Sequence, residues 1–307
     1  MNAEIIATFG RHLLLRAADG GVRMARPQGR DLEIACGDRV ECSDTAGETL
    51  VTAVLARDTV LRRSSLRARS ELLAANLTQV AVVVAPRPEP DLFVIDRFLC
   101  AAECAGLRAL IVHNKQELPE HPALAEALAP YAALAYPSCG VSAAQAADDP
   151  AALDALRDAL RGETTILVGQ SGVGKSSLTR LLTSDAAQIA IGALIKQEEG
   201  RHTTTTARLF DCDGGGRIVD SPGVRDFAPA IDDLDARTLG FREVAQRAAK
   251  CRFQDCSHLQ EPGCAVRGAV QTGAVDARRY ESYRRLRRLY DDLWKKRPAS
   301  EQAARRY

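Results

Sequence analysis

Between residue 1 and about residue 65, apolar positions come in short runs: EIIATF, HLLLRA, VRMARP, DLEIA, RVECS and TLVTAVL. Turn signals such as Asp19-Gly20-Gly21 and Cys36-Gly37-Asp38 separate them. Runs of this length between Gly-containing turns predict short strands closing into a small β-barrel, similar to an OB-fold. The polar stretch from Arg62 to Arg69 reads as a linker. From about 71 to 229 strands and helices alternate. VAVVVAP (80–86) predicts a buried strand, and DLFVIDRFLCAAECAG (91–106) a helix with Leu92, Ile95, Leu99 and Ala102 on one side. LRALIVHN, AYPSCGVSA and TTILVG predict further strands, with helices over PALAEALAPYAA and PAALDALRDALRG between them. ARLFDC and GGRIVD add two more strands. Such alternation implies a parallel sheet covered by helices on both faces. Beyond about 230 the chain turns helical and basic around a cysteine cluster. The expected division is a barrel at 1–65, an α/β domain at 71–229 and a helical domain at 230–307.

Composition changes this picture in three places. The 307 residues are 46% apolar, enough for a full core, and 41 Lys and Arg nearly balance 40 acids. Nucleic-acid binding must therefore come from local patches. Residues 278–307 supply one, with eleven Lys or Arg against four acids, a local net of +7, and Tyr280, Tyr283, Tyr290 and Trp294 interleaved. That stretch reads equally as an RNA-binding surface or as a solvated charged helix. Phe9 is the only aromatic of the barrel, so base stacking explains RNA binding there poorly and backbone contacts fit better. Finally, MNAEIIATFG lacks a signal-peptide pattern, and no apolar run approaches the roughly 20 residues of a membrane helix. The nine cysteines then point to a reducing compartment. The expectation is a cytoplasmic monomer without a membrane partner.

The strongest motif is Gly169-Gln170-Ser171-Gly172-Val173-Gly174-Lys175-Ser176, followed by Ser177. It fits G-x-x-x-x-G-K-S between a strand and a helix, the context of a phosphate-binding loop. Its glycines let backbone N–H groups crowd around phosphate oxygens at a helix N-terminus. Lys175 is expected to reach the β- and γ-phosphates and Ser176 to ligate Mg²⁺. Asp220, in RIVDSPG 45 residues after Lys175, is expected to hold Mg²⁺ through water, and the Gly223 N–H to face the γ-phosphate. Between them, GRHTTTTARLF reads as a switch segment in which a Thr hydroxyl completes the Mg²⁺ shell, with Thr204 favoured over Thr205.

Such loops serve both ATP and GTP enzymes, and no guanine-reading Asn-Lys-x-Asp occurs after Leu178. An equivalent stands upstream. Asn114-Lys115-Gln116-Glu117 ends one predicted strand and Ser142-Ala143 ends another. In GTP proteins the Asn and the acid read the guanine edge, the Lys packs along the base and the Ser-Ala backbone meets the base oxygen. Joining the usual chain ends and cutting before the fourth strand gives this order without moving any strand of the sheet. The α/β domain is thus expected to be a circularly permuted P-loop GTPase domain.

Downstream, Cys251-x4-Cys256-x-His258-x5-Cys264 places three thiols and an imidazole within 14 residues. That donor set suits tetrahedral Zn²⁺ with no open position, hence a structural site. Glu261-Pro262-Gly263 reads as the turn that brings Cys264 back. Cys100 and Cys104 are a helical turn apart and are expected to pack in the core.

The whole pattern resembles the ribosome-small-subunit-dependent GTPase A family, carried by GQSGVGKSSL, GRHTTTTARLF, DSPGVRDF, NKQE and the cysteine cluster. The resemblance implies GTP hydrolysis to GDP and phosphate, stimulated by the small ribosomal subunit, in late maturation of that subunit near its decoding region. It implies GTP/GDP, Mg²⁺ and one structural Zn²⁺ as cofactors, rRNA as partner and the same four zinc ligands. Glu117 departs from the family's usual Asp and is one methylene longer. Val224 stands where signalling GTPases often carry a water-orienting Gln, so intrinsic hydrolysis is expected to be slow. His202 is the candidate replacement, a role the resemblance also implies. Two other classes are compatible with the residues: an ATP-dependent kinase or transferase, disfavoured by NKQE and VSA, and a non-catalytic RNA-binding factor switched by GTP.

Overall fold

The computed structural model describes residues 1–10, 12–29, 31–45, 47–64, 70–119, 122–183, 207–220, 229–230 and 232–297. Five strands open the chain: β1 (Asn2–Phe9), β2 (His12–Ala17), β3 (Val22–Pro27), β4 (Arg39–Thr45) and β5 (Glu48–Val54). β1 pairs with β2, β2 with β3 and β4 with β5, all antiparallel; β3 runs parallel to β5, and β4 returns to β1. The order 1-2-3-5-4-1 closes a barrel and leaves no free edge within it. Ile5, Leu13, Leu15, Val40 and Val51 fill its interior. The apolar stretch DLEIA forms no strand. The Asp38 carboxylate accepts from the Ala35 N–H and turns the chain there, while Ile34 packs against the barrel core.

Arg62 to Ser64 are not linker. β6 (Val60–Ser64) and β7 (Ser70–Ala75) form an antiparallel ladder. Arg62 pairs with Glu33, in the segment between β3 and β4, and Arg63 with Glu71 of β7, so the charges that make this stretch look solvated are matched, while Leu61 and Ala74 are buried.

The sheet of the α/β domain runs β10 (Ser138–Gly140), β9 (Arg108–His113), β8 (Gln79–Val84), β11 (Thr164–Val168), β13 (Arg217–Asp220), β12 (Arg208–Asp211). The pairs among β10, β9, β8, β11 and β13 are parallel, as the alternation predicts; β12 is antiparallel to β13. β12 also meets β1 at Ala7 and Arg208, which joins barrel and sheet. Helices α1 (Leu92–Cys104) and α2 (Pro122–Ala133) cover one face, where Ile95, Phe98, Leu99, Leu128 and Tyr131 meet Val80, Val82 and Ile111. Helices α3 (Asp154–Leu160) and α4 (Lys175–Leu182) cover the other, with Leu156, Leu160, Leu178 and Leu182 against Ala81, Val83 and Leu167. PAALDALRDALRG, expected to be one helix, splits into a 3-10 turn at Pro150–Leu153 and α3.

The C-terminal part holds α5 (Arg242–Ala248), α6 (Ala265–Gln271) and α7 (Ala277–Lys295), packed through Phe241, Val244, Val266, Tyr283, Leu286 and Tyr290. A buried charge network fastens it to the α/β domain. Asp96 of α1 is fully buried and accepts from Arg278, Arg279 and the Tyr131 hydroxyl. Arg279, 1% exposed, also forks onto Glu243 of α5 at 2.8 and 2.9 Å. No helix among the described residues is long and apolar enough to cross a membrane.

Candidate functional site

The phosphate loop joins β11 to α4. Gly174, at φ +100°, caps α4 in the left-handed region, and a Cβ there would overlap Asn114 Nδ2. A Cβ on Gly169 would overlap the Val83 carbonyl of the neighbouring strand. These two glycines set how closely the loop approaches its neighbours. Lys175 Nζ curls back to the carbonyls of Gly169 and Gln170 at 2.8 and 2.9 Å, so it lies along the inner side of the loop. Ser176 and Ser177 occupy the exposed first turn of α4. Asp220 ends β13, beside β11. Burial raises its carboxyl above the ordinary aspartate range, and the charges of Lys175 and Arg208 offset only part of that rise. A carboxylate poised against Lys175 at the loop suits a cation shared with phosphate oxygens.

The upstream motifs arrive at the same place. Asn114 is 1% exposed; its Nδ2 donates to the Val173 carbonyl at 2.8 Å and its Oδ1 accepts from the Ala143 N–H at 3.1 Å. One amide thus ties the Asn-Lys loop, the Ser-Ala loop and the phosphate loop together. Lys115, held at φ +66°, sends Nζ to the carbonyls of Gly172 and Arg87, both at 2.8 Å. Its aliphatic stem therefore spans the gap between the two loops, where a base can lie along it. Ser142 Oγ donates to Glu117 Oε2 at 2.6 Å and accepts from the Gln145 N–H at 3.2 Å, which fixes the longer carboxylate. Gln116 points elsewhere, with Nε2 on the His113 carbonyl at 3.3 Å. Behind this loop, between α2 and the sheet, lies a cavity of about 520 Å³ lined by Val84, Ile111, His113, Leu124, Leu128 and Tyr131. Burial holds the His113 pKa below its ordinary value.

In the C-terminal part the four expected ligands converge. Their donor atoms all lie within 4.8 Å of one another. Cys251 Sγ and Cys264 Sγ stand 3.4 and 3.5 Å from His258 Nδ1 and 3.9 Å from each other. A tetrahedron with Zn–S near 2.3 Å and Zn–N near 2.0 Å has edges of about 3.5–3.8 Å, so the set fits zinc. His258 turns Nδ1 to the thiols, and its Nε2 is buried without a hydrogen bond. Glu261 organises the loop around them. Its carboxylate accepts from the Ser257 hydroxyl and from the N–H groups of Ser257, Leu259 and Gln260. Burial alone would raise its pKa, but these donors bring it down to about 2. Tyr280 and Tyr283 hydroxyls donate to the carbonyls of His258 and Ser257.

The family model described as RsgA GTPase matches residues 54–229, which include both base loops, the phosphate loop and Asp220. The chain belongs to the RsgA GTPase family. It is accordingly a circularly permuted, GTP-hydrolysing enzyme. It is 40% identical over 282 residues to the small ribosomal subunit biogenesis GTPase RsgA of Neisseria meningitidis serogroup B, covering 90% of this chain and 88% of that one. Against the protein of the same name from Nitrosospira multiformis the figures are 40% over 289 residues, 93% and 90%. Among solved structures, YjeQ from Thermotoga maritima matches with a TM-score of 0.70 at 29% identity, over 95% of this chain and 98% of that one. YloQ, described as a circularly permuted GTPase, shares the fold with a TM-score of 0.67 at 23% identity, over 97% and 96% of the two chains.

On α7 the sequence left an RNA-binding surface and a solvated charged helix equally open, and neither describes its aromatic residues. Tyr283, Tyr290 and Arg279 are buried, and Tyr280 and Trp294 stack on Tyr283 and Tyr290. The aromatics build the core and brace the cysteine loop; they do not interleave an exposed RNA face. Burial of Cys100 among Leu239, Phe241 and Tyr283 agrees with the packing expectation. His202, Thr204 and Gly223 lie outside the described residues. Three contacts were not foreseen from the sequence, although Gln170 and Glu261 themselves were named there. Gln170 Oε1 accepts from the Asp91 N–H at 3.1 Å, tying the phosphate loop to the start of α1. The Arg87 carbonyl holds Lys115, and Glu261 cradles the ligand loop. The Asp91 N–H and the Arg87 carbonyl are backbone groups, which leave no side-chain motif. The Glu261 signal was in the sequence, as an acid followed by Pro-Gly inside a ligand loop.

Proposed function

We propose that this GTPase acts in late maturation of the small ribosomal subunit, binding its rRNA and hydrolysing GTP to GDP and phosphate when docked there. The observation that carries the nucleotide assignment is the buried Asn114 amide, which bridges the base loops and the phosphate loop. The partner is supported by the relatives, which are named for small-subunit biogenesis at 40% identity across nine tenths of the chain. Asn114, Lys115, Glu117, Ser142 and Ala143 bind guanine, with Gln116 as the spacer that sets their register. Gly169 to Ser177 wrap the phosphates, and Lys175 neutralises the β- and γ-phosphates. Ser176 and Asp220, with Thr204 and Gly223 from the switch segments, would hold Mg²⁺ and the γ-phosphate; Mg²⁺ would neutralise charge that develops on the phosphates. Cys251, Cys256, His258 and Cys264 hold one structural Zn²⁺. The protein works as a cytoplasmic monomer.

Val224 follows Gly223 where signalling GTPases often carry a water-orienting Gln, and His202 takes that role. Replacing His202 with Ala then spares GTP binding and abolishes stimulated turnover; unchanged stimulation would remove His202 from the mechanism. The reading as a whole is tested by GTP hydrolysis with purified small subunits, using large subunits as control. Strong stimulation by small subunits alone is expected. An equal rate with either subunit, or with neither, would contradict the assignment.

A further inference from the structure

Most arginines of α7 already have carboxylate partners within the molecule. Arg279 is locked on Asp96 and Glu243, and Arg278 on Asp96. Arg287 pairs with Asp291, and Arg284 and Arg288 share Glu281. Five of the helix's six arginines therefore have carboxylate partners. Arg285 is the exception: it is exposed and, among the described residues, has neither a hydrogen bond nor a carboxylate partner. Its guanidinium lies 4.1 Å from the ring centroid of Phe93, on α1 of the other domain. Arg97, one helical turn further along α1, lies 5.1 Å from the same ring. A half-buried phenyl ring thus carries two guanidinium groups at the seam between α1 and α7.

The seam is assembled in advance. The Asp96–Arg279–Glu243 network behind it buries charge on both helices, so neither slides without leaving an ion unpaired. Guanidinium groups stacked on an aromatic face lose little further entropy when they fork onto phosphate oxygens, and their planar donors match that geometry. Phe93 gives the face an apolar floor beside the charges.

We propose that this α1/α7 seam, with Arg97 and Arg285 flanking Phe93, is a docking face for the sugar-phosphate backbone of structured RNA. The proposal rests on the small-subunit reading above and names the face that reading lacks. Docking here places the RNA contact on α1, whose first residues are tied to the phosphate loop through Asp91 and Gln170. The occupied subunit therefore reaches the nucleotide through a single helix.

The test uses the full chain with zinc and a non-hydrolysable GTP analogue, measuring affinity for purified small subunits over a salt series. Arg285→Glu is expected to weaken binding at least tenfold at moderate salt. It should also make the slope of log affinity against log salt shallower by about one to two, since a slope of about 0.7–0.9 accompanies each phosphate neutralised. Arg285→Lys should keep most of the slope, and Arg97→Glu should act in the same direction as Arg285→Glu. Nucleotide affinity and zinc content should match the parent in every variant, which separates a lost contact from a lost fold. Arg161→Glu, at the residue that follows α3 and away from the seam, is the control and should bind like the parent. Binding by Arg285→Glu within twofold of the parent, with an unchanged slope, overturns the proposal. A folded, GTP-bound parent that fails to bind small subunits overturns the functional reading, and the proposal with it.

Discussion

Asn114 Nδ2 donates to the carbonyl of Val173 at 2.8 Å, across 59 positions of sequence. The contact joins the two ends that permutation has exchanged: the Asn114-Lys115 loop, translated first, and the phosphate loop, translated second. Asn114→Ala leaves the Val173 carbonyl and the Ala143 N–H without their partner. Removing one partner of a buried hydrogen bond costs about 1–3 kcal/mol. With two such bonds lost, guanine nucleotide affinity should fall by roughly 30-fold or more. A titration with fluorescent GDP checks this, and a variant within threefold of the parent would show that the amide is not the bridge.

Gly174→Ala puts a methyl group into Asn114 Nδ2 and forces a side chain into the left-handed region. The fold can survive by displacing the loop, but the site cannot. The expected outcome is a folded protein, by circular dichroism and zinc content, with nucleotide binding reduced at least tenfold.

Asp96→Asn removes the charge that faces both Arg278 and Arg279. Breaking one side of a buried ion network typically costs on the order of 3–5 kcal/mol. Urea denaturation should show a loss of that order. A change below about 1 kcal/mol would mean the network is dispensable.

Chelation of zinc should disrupt the C-terminal part, since structural zinc contributes on the order of 10–16 kcal/mol of apparent binding energy in small modules. The sequence alone suggests that the GTPase core would then be left intact. The buried network changes that expectation, because unfolding of α7 strips Asp96 of both arginine partners and leaves it only the Tyr131 hydroxyl. Thermal unfolding of the chelated protein should therefore show the remaining core melting at lower temperature than in the zinc-loaded protein. An unshifted core transition would show the two parts to be energetically independent.

How much of this was legible beforehand depends on where the information sits. The phosphate loop, the NKQE and VSA loops and the cysteine spacing are local strings, and each lands where its motif predicts. The barrel strands followed from short apolar runs, except DLEIA, where the Asp38 turn overrides the apolar run. What failed is long-range charge matching. Arg62 and Arg63 look solvated until β7 and Glu33 supply partners. The arginines of α7 look equally like an RNA face or a solvated helix until Asp96, Glu243, Glu281 and Asp291 are seen beside them. Counting charges along a helix cannot tell a neutralised arginine from one that faces solvent; Arg285 emerges only once the others are accounted for.

Burial favours the neutral ring of His113 and lowers its folded-state pKa. The folded chain then binds fewer protons than the unfolded one at this site. The stability it contributes is present above the unfolded value near 6.5 and is lost as pH falls through that value toward the folded one. His113→Gln should flatten the decline in stability between about pH 7.5 and 5.5 relative to the parent. An identical pH profile would place the responsible histidine elsewhere.

The central claim is that one guanine site is built from loops on both sides of the permutation point. Competition for a bound fluorescent GDP tests it most directly. GTP and unlabelled GDP should displace the probe, while ATP at similar concentration should leave it in place, Glu117 notwithstanding. Displacement by ATP at the concentrations that suffice for GTP would contradict the account, because the phosphate loop would then be working without the base loops beside it.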